Sequence, residues 1–98
     1  MTIEKSKQEK KLTIKLCGRL DTITAPDLEA EIKNGLDGVS ELVFDLAQLE
    51  YVSSAGLRTL LMAYKIMSQQ GSMKIINVCE MVQEVFDITS LTDILTIE

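Results

Sequence analysis

The sequence predicts an α/β fold: a mixed, largely parallel sheet with helices packed on it, in the order β-β-α-β-α-β-α-β. Three observations carry this. The hydrophobic period switches repeatedly between two and about 3.6 residues, so strand-like segments alternate with helix-like ones. Strand, helix and strand at this spacing force parallel pairing through right-handed crossovers. The 98 residues are the size of one small domain, and no repeat or low-complexity run divides them, so residues 1–98 are read as a single domain.

Each element has its own pattern. Leu12, Ile14 and Leu16 alternate with Lys11, Thr13 and Lys15, which marks a strand with one buried face. Residues 2–7, with little to bury beyond Ile3, form an edge strand hairpinned onto it. At Thr24-Ala-Pro-Asp27, a hydroxyl, an early proline and an acid three positions on mark a helix start. That helix runs to about Asn34-Gly35, with Ala25, Leu28, Ile32 and Leu36 on one face. The near-continuous apolar run Leu42 to Leu46 is expected to be the central strand, covered on both faces. From Gly56 onward Leu57, Leu60, Leu61, Tyr64 and Met67 keep helical spacing until Gln70-Gly71. Ile75, Ile76 and Val78 suggest a strand, Val82, Val85, Phe86 and Thr89 a helix face, and Ile94 to Ile97 a last short strand.

Composition removes several function classes. With 46% hydrophobic and 26% charged residues the chain is an ordinary globular one. A net charge of −5 disfavours nucleic acid or an anionic membrane as partner, since both need a basic face. The lysines Lys5, Lys7, Lys10 and Lys11 alternate with Glu4 and Glu9, as on a solvated edge strand. No apolar run approaches the roughly 20 residues that cross a bilayer, and Met1 to Lys10 is charged where a leader would be apolar, so the cytoplasm is the expected compartment, without direct membrane insertion. Cys17 and Cys79 read as two buried small hydrophobes. The absence of histidine excludes a Ser-His-Asp triad, a Cys-His pair and most catalytic zinc sites. No nucleotide-binding glycine motif is present. The sequence therefore points to no catalytic residue, no metal and no cofactor.

Binding sites in open α/β sheets collect beyond the carboxyl ends of the strands, where strand-to-helix loops meet. Two loops qualify: Gly18 to Thr24, and Gln48 to Ala55 ahead of the best-patterned helix. If their strands are neighbours, Asp21 shares an edge with Ser53 and Ser54. Serine at this point is a preferred helix N-cap. A hydroxyl there is also a good phosphate acceptor, because free N–H groups and the helix dipole favour an anion. Physics alone leaves both roles open. Gly56 allows close packing at the first turn, and Asp21 is either a partner contact or a turn residue.

The run Val52-Ser-Ser-Ala-Gly-Leu57 after Phe44-Asp-Leu-Ala-Gln-Leu49 resembles the STAS domains of bacterial anti-sigma factor antagonists. Gly18-Arg-Leu-Asp21 with Thr24-Ala25, and Val82-Gln-Glu-Val-Phe86 with Thr89-Ser-Leu91, are similar to further segments of that family in the same order. The resemblance implies a STAS-like fold and a non-enzymatic partner switch in transcription regulation. Such proteins bind an anti-sigma factor that is also a serine/threonine kinase, releasing a sigma factor. The kinase ends the interaction by phosphorylating one serine, and a phosphatase can reset it. Aligned on Gly56-Leu57, the phosphorylated serine falls on Ser54, with Ser53 as the alternative. Ser53 occupies the family's aspartate position, Ala55 that of a second hydroxyl, and Ser90 that of a helix-ending glycine. The implied partner surface is Asp21, Thr22, Ser53, Ser54, Ala55, Gly56 and Leu57. A constitutive STAS adaptor or scaffold, in a lipid-transport complex or signalling assembly, is the alternative. Enzymatic use of Ser54 has little support, because Lys65 lies about three turns away, roughly 16 Å by helical rise.

Overall fold

A computed structural model describes residues 1–98. Strands β1 (Thr2–Gln8) and β2 (Lys11–Leu20) form an antiparallel hairpin. The chain continues through α1 (Ala25–Gly35), β3 (Glu41–Val52), α2 (Ser54–Met67), β4 (Ser72–Ile76), α3 (Glu80–Ile88) and a 3-10 turn at Leu91–Asp93. The sheet order is β1-β2-β3-β4, with β2, β3 and β4 mutually parallel. The mixed, largely parallel α/β architecture is as the sequence predicts. No helix is long and apolar enough to cross a membrane.

In-register rows show where the core lies. Leu12, Leu42 and Met73 form one row, and Ile14, Phe44 and Ile75 the next. The buried side chains of all three helices join the same cluster, among them Leu28 and Ile32 of α1, Leu60 and Met67 of α2, and Val82 and Phe86 of α3. The helices therefore cover one face of the sheet only. Burying each such side chain stabilises the fold by about 1.5–3 kcal/mol. This corrects the expectation that Leu42 to Leu46 is covered on both faces. Val43 is buried but lies outside the core, on the opposite face between Thr13 and Lys74, and its neighbour Asp45 is only half-buried.

The β2–β3 register slips twice, between Lys15 and Cys17 and again between Gly18 and Arg19. At each slip β3 carries one extra residue, so the buried positions that alternate at Leu42, Phe44 and Leu46 continue at steps of three to Leu49 and Val52. A bulge resets the side-chain alternation and bends the strand. That step of three is why the sequence suggests a loop from Gln48, whereas strand continues to Val52. Gly18 to Leu20 likewise belongs to β2, with Gly18 at φ +101°.

At the opposite end of the sheet, Gln70 donates from Nε2 to the carbonyls of Leu36 and Val39 at 2.6 and 2.7 Å. A Cβ on Gly71 would strike the Ser40 carbonyl, so this turn requires glycine. Val78 lies beyond β4, past Asn77 at φ 59°. Residues 94–97 form no strand. A single parallel bridge joins Ile97 to Ile75, because the chain spends Leu91–Asp93 in the 3-10 turn. The cysteines are free and half-buried, not core residues. Cys17 hydrogen-bonds Gln48 at 2.9 Å on the helix-free face, and Cys79 is the N-cap of α3.

Ser90 adopts φ 63°, the left-handed conformation that favours glycine, at the junction of α3 and the 3-10 turn. Ser90→Gly is expected to stabilise the protein by about 0.5–1 kcal/mol, the relieved strain being offset in part by unfolded-state entropy. A raised urea midpoint at unchanged m-value is the measurement.

Candidate functional site

The parallel pairing of β2 with β3 brings Leu20 opposite Val52, so the two following turns leave the sheet side by side. The Ser53 amide donates to the Leu20 carbonyl at 2.9 Å, tying them together. Helix α2 then begins one residue later. Ser53 is its N-cap, in extended conformation, and its hydroxyl accepts from the Gly56 amide at 3.4 Å. Ser54 is the first helical residue and is exposed. The two serines thus divide the roles that sequence reasoning left open: Ser53 supplies the cap, and Ser54 presents a hydroxyl to solvent at the positive end of α2.

Gly56 explains why the helix can start so close to the sheet. A Cβ there would stand 2.6 Å from Leu20 Cγ, 2.9 Å from the Leu20 carbonyl oxygen and 2.9 Å from Val52 Cγ2. Gly56 and Leu57 are buried, the latter 7% exposed. Their side-chain positions face the core. Asp21 is partly exposed, Thr22 is exposed and Ala55 is half-buried.

The Asp21 turn is built from the inside. Its carboxylate accepts from the Ile23 amide at 3.0 Å and the Thr24 amide at 3.1 Å. The Thr24 hydroxyl accepts from the Asp21 amide at 2.9 Å and donates to the Arg19 carbonyl at 2.8 Å. Thr24 therefore gives α1 no side-chain cap, contrary to the helix-start pattern; it closes the preceding turn instead. The Thr24 amide, opposed by partial desolvation and aided by the Ile23 amide, holds the Asp21 carboxyl below its ordinary range. Arg19 lies 3.8 Å from that carboxylate and stacks 4.2 Å over the Tyr51 ring. Asp21 has a folding role, then, as well as a place on the site's edge.

Sequence reasoning missed the groove beside Ser54. It measures about 340 Å³ and runs between α1 and α2, lined by Thr22, Pro26 and Glu29 on one side and Ala55, Arg58 and Met62 on the other. Next to it Ile23 is 84% exposed, an apolar side chain held out by the Asp21 turn. Only the strand order, invisible in one dimension, places these residues together.

The arrangement defines a class: a small α/β domain that presents an exposed serine at a helix start beside a groove. The chain belongs to the STAS domain family, whose model matches residues 2–98. It is 38% identical over 81 residues to BtrV of Bordetella bronchiseptica, covering 81% of this chain and 70% of that protein. It is 28% identical to the anti-sigma-B factor antagonist of Bacillus subtilis over 98 residues, covering 99% of this chain and 90% of the relative. Its fold matches the phosphorylated form of the Bacillus cell fate determinant SpoIIAA with a TM-score of 0.77 at 17% identity, over 99% of this chain and 91% of that one.

Two outcomes follow from the site's packing. Gly56→Ala should destabilise by about 1–3 kcal/mol, as overpacking against backbone does, read as a lowered melting temperature. Because folding lowers the Asp21 pKa, the carboxylate stabilises the protein above its unfolded value of about 3.9, and this contribution is lost as pH falls through the folded value. The stability gap between wild type and Asp21→Asn should accordingly be present at pH 7 and shrink as denaturation is measured below about pH 4.

Proposed function

We propose that the protein is a non-enzymatic, cytoplasmic anti-sigma factor antagonist. In this reading the Asp21 turn, Ser54 and the adjoining groove bind an anti-sigma factor serine/threonine kinase, which then releases its sigma factor. Phosphorylation of Ser54 ends the interaction, and a phosphatase restores it. The observation that carries the reading is the exposed Ser54 hydroxyl at the first residue of α2, beside a Ser53 already used as the cap. The relatives named as anti-sigma factor antagonists, and the phosphorylated SpoIIAA that shares the fold, support it.

Electrostatics says where the switch must act. A phosphoserine adds roughly −1.5 to −2 charges, which the free amides at a helix start accommodate. Arg58 is four residues on, on the same helix face, and exposed. The fold therefore tolerates the modification, and its effect falls on the surface that binds. A contact that accepted a small neutral hydroxyl would have to desolvate the new charge or face repulsion, at a cost of about 3 kcal/mol or more. Since each 1.4 kcal/mol is about tenfold, the loss of affinity should be about a hundredfold or greater.

Affinity purification from the native cell, with mass spectrometry, supplies the kinase and the modified position. Ser54→Asp should then bind that kinase at least about a hundredfold more weakly while keeping its melting temperature within a few degrees. Ser54→Ala should bind well and take no phosphate, and Ser53→Ala should still be phosphorylated. Phosphate on Ser53 would move the switch by one residue. No phosphate on either serine, together with full binding by Ser54→Asp, would establish the constitutive adaptor instead.

A further inference from the structure

Residues 1–74 contain ten acidic and ten basic side chains and are neutral in sum, whereas residues 75–98 contain Glu80, Glu84, Asp87, Asp93 and Glu98 and no lysine or arginine. The acidic excess therefore falls on α3 and the segment after it, where Glu98 has a basic partner in Lys74 at 3.9 Å and Glu80, Glu84, Asp87 and Asp93 have none. Three of the four large hydrophobic side chains exposed on the molecule lie there too: Met81 at 62%, Ile88 at 83% and Ile94 at 48%. Single exposed apolar residues are ordinary, but this grouping is not scattered. Met81 and Ile88 are seven residues apart, two turns on one stripe of α3, with the half-buried Val85 between them. The inward stripe of Val82 and Phe86 is separate and belongs to the core.

The surface is also fixed in place. The Asp87 carboxylate accepts from Thr92 Oγ1 at 2.7 Å and from Gln83 Nε2 at 3.0 Å, holding the turn that leads to Ile94 against the end of α3. Those hydrogen bonds, Thr92 first, keep the Asp87 carboxyl below its ordinary range and thus ionised at neutral pH. No residue of α3 lines the groove beside Ser54.

We propose that this surface is a second docking site, distinct from the Ser54 site, whose occupant is a basic amphipathic helix of a partner protein. The charge selects the partner. Nucleic acid and anionic membrane share the sign of the surface, and a second copy of the chain would oppose one acidic segment to another. An apolar stripe two turns long, rimmed by Glu80, Glu84 and Asp87, matches a helix with apolar residues on one face and lysine or arginine flanking them.

The test uses the full chain and a synthetic helical peptide with leucines on one face and lysines on the other, beside a scrambled peptide of identical composition. Fluorescence anisotropy should show the patterned peptide binding at least tenfold more tightly than the scrambled one, with affinity falling as salt is raised. Amide shift changes should map to α3 and residues 91–94. Glu84→Lys and Ile88→Ser, both at exposed positions, should each weaken binding about tenfold or more. Asp37→Lys, an identical charge change in the loop after α1, should leave it within twofold, as should Ser54→Asp, which makes the outcome independent of the phosphorylation reading. Equal binding of the scrambled peptide, equal losses in Glu84→Lys and Asp37→Lys, shifts centred on Ser54, or a dimer in sedimentation that Ile88→Ser dissolves would each overturn the proposal.

Discussion

The parallel seam between β2 and β3 is the constraint on which the rest of the structure depends. Parallel strands cannot be joined by a tight turn, so α1 must cross over the sheet between them, and both strands then end at the same edge. The two extra residues in β3 bring Val52 level with Leu20 despite the unequal strand lengths. From there one hydrogen bond, Ser53 to the Leu20 carbonyl, sets the start of α2 against the end of β2. Gly56 permits that approach because it carries no side chain to meet Leu20 and Val52. The exposed position of Ser54 is thus a consequence of backbone pairing and of an absent Cβ two residues along, rather than of anything serine itself does.

The same dependence explains what could be read from one dimension. Elements whose period is uninterrupted were legible: β2 through Leu12, Ile14 and Leu16, α1 through Leu28 and Ile32, α2 through Leu57, Leu60 and Met67. The buried faces of β2 and α1 are the ones the pattern assigns, whereas in α2 Leu61 and Tyr64 are only half-buried and Thr59 and Ala63 are buried beside Leu57, Leu60 and Met67. The second half of β3 was not legible, because each bulge shifts the alternation and leaves Leu46, Leu49 and Val52 at a spacing foreign to a regular strand. The last strand failed for a related reason: Leu91 and Leu95 are buried four residues apart, while the left-handed Ser90 turns the chain before it can pair. The placement of Ser53, Ser54 and Asp21 at one edge was legible because polar residues at strand-to-helix junctions announce themselves. The groove of Glu29, Arg58 and Met62 was not, since its walls come from two helices that only the folded crossover makes neighbours.

Asp21 shows why a residue at a binding edge need not be free to bind. Its carboxylate is occupied by two backbone amides, and it is this occupation that projects Ile23 outward. A charged group so engaged contributes to recognition mainly by shaping its loop, since diverting it to a partner would leave those donors unsatisfied. The exposed Thr22 and Ile23, held out by that turn, Arg58 across the groove and Ser54 at the start of the same helix are groups able to meet an approaching surface without dismantling the fold.

Charge is distributed with the same economy. In the N-terminal three-quarters of the chain, acids and bases balance and several are matched locally, as in Lys5 with Glu31, Lys33 with Glu29 and Arg19 with Asp21. Exposed pairs of this kind add little stability. A phosphate on Ser54, as proposed above, would meet the exposed Arg58 four residues on, whereas the same group on α3 would meet Glu80, Glu84 and Asp87. The excess negative charge thus lies on α3 and the segment after it, while α2 carries Arg58 and Lys65 and no acid.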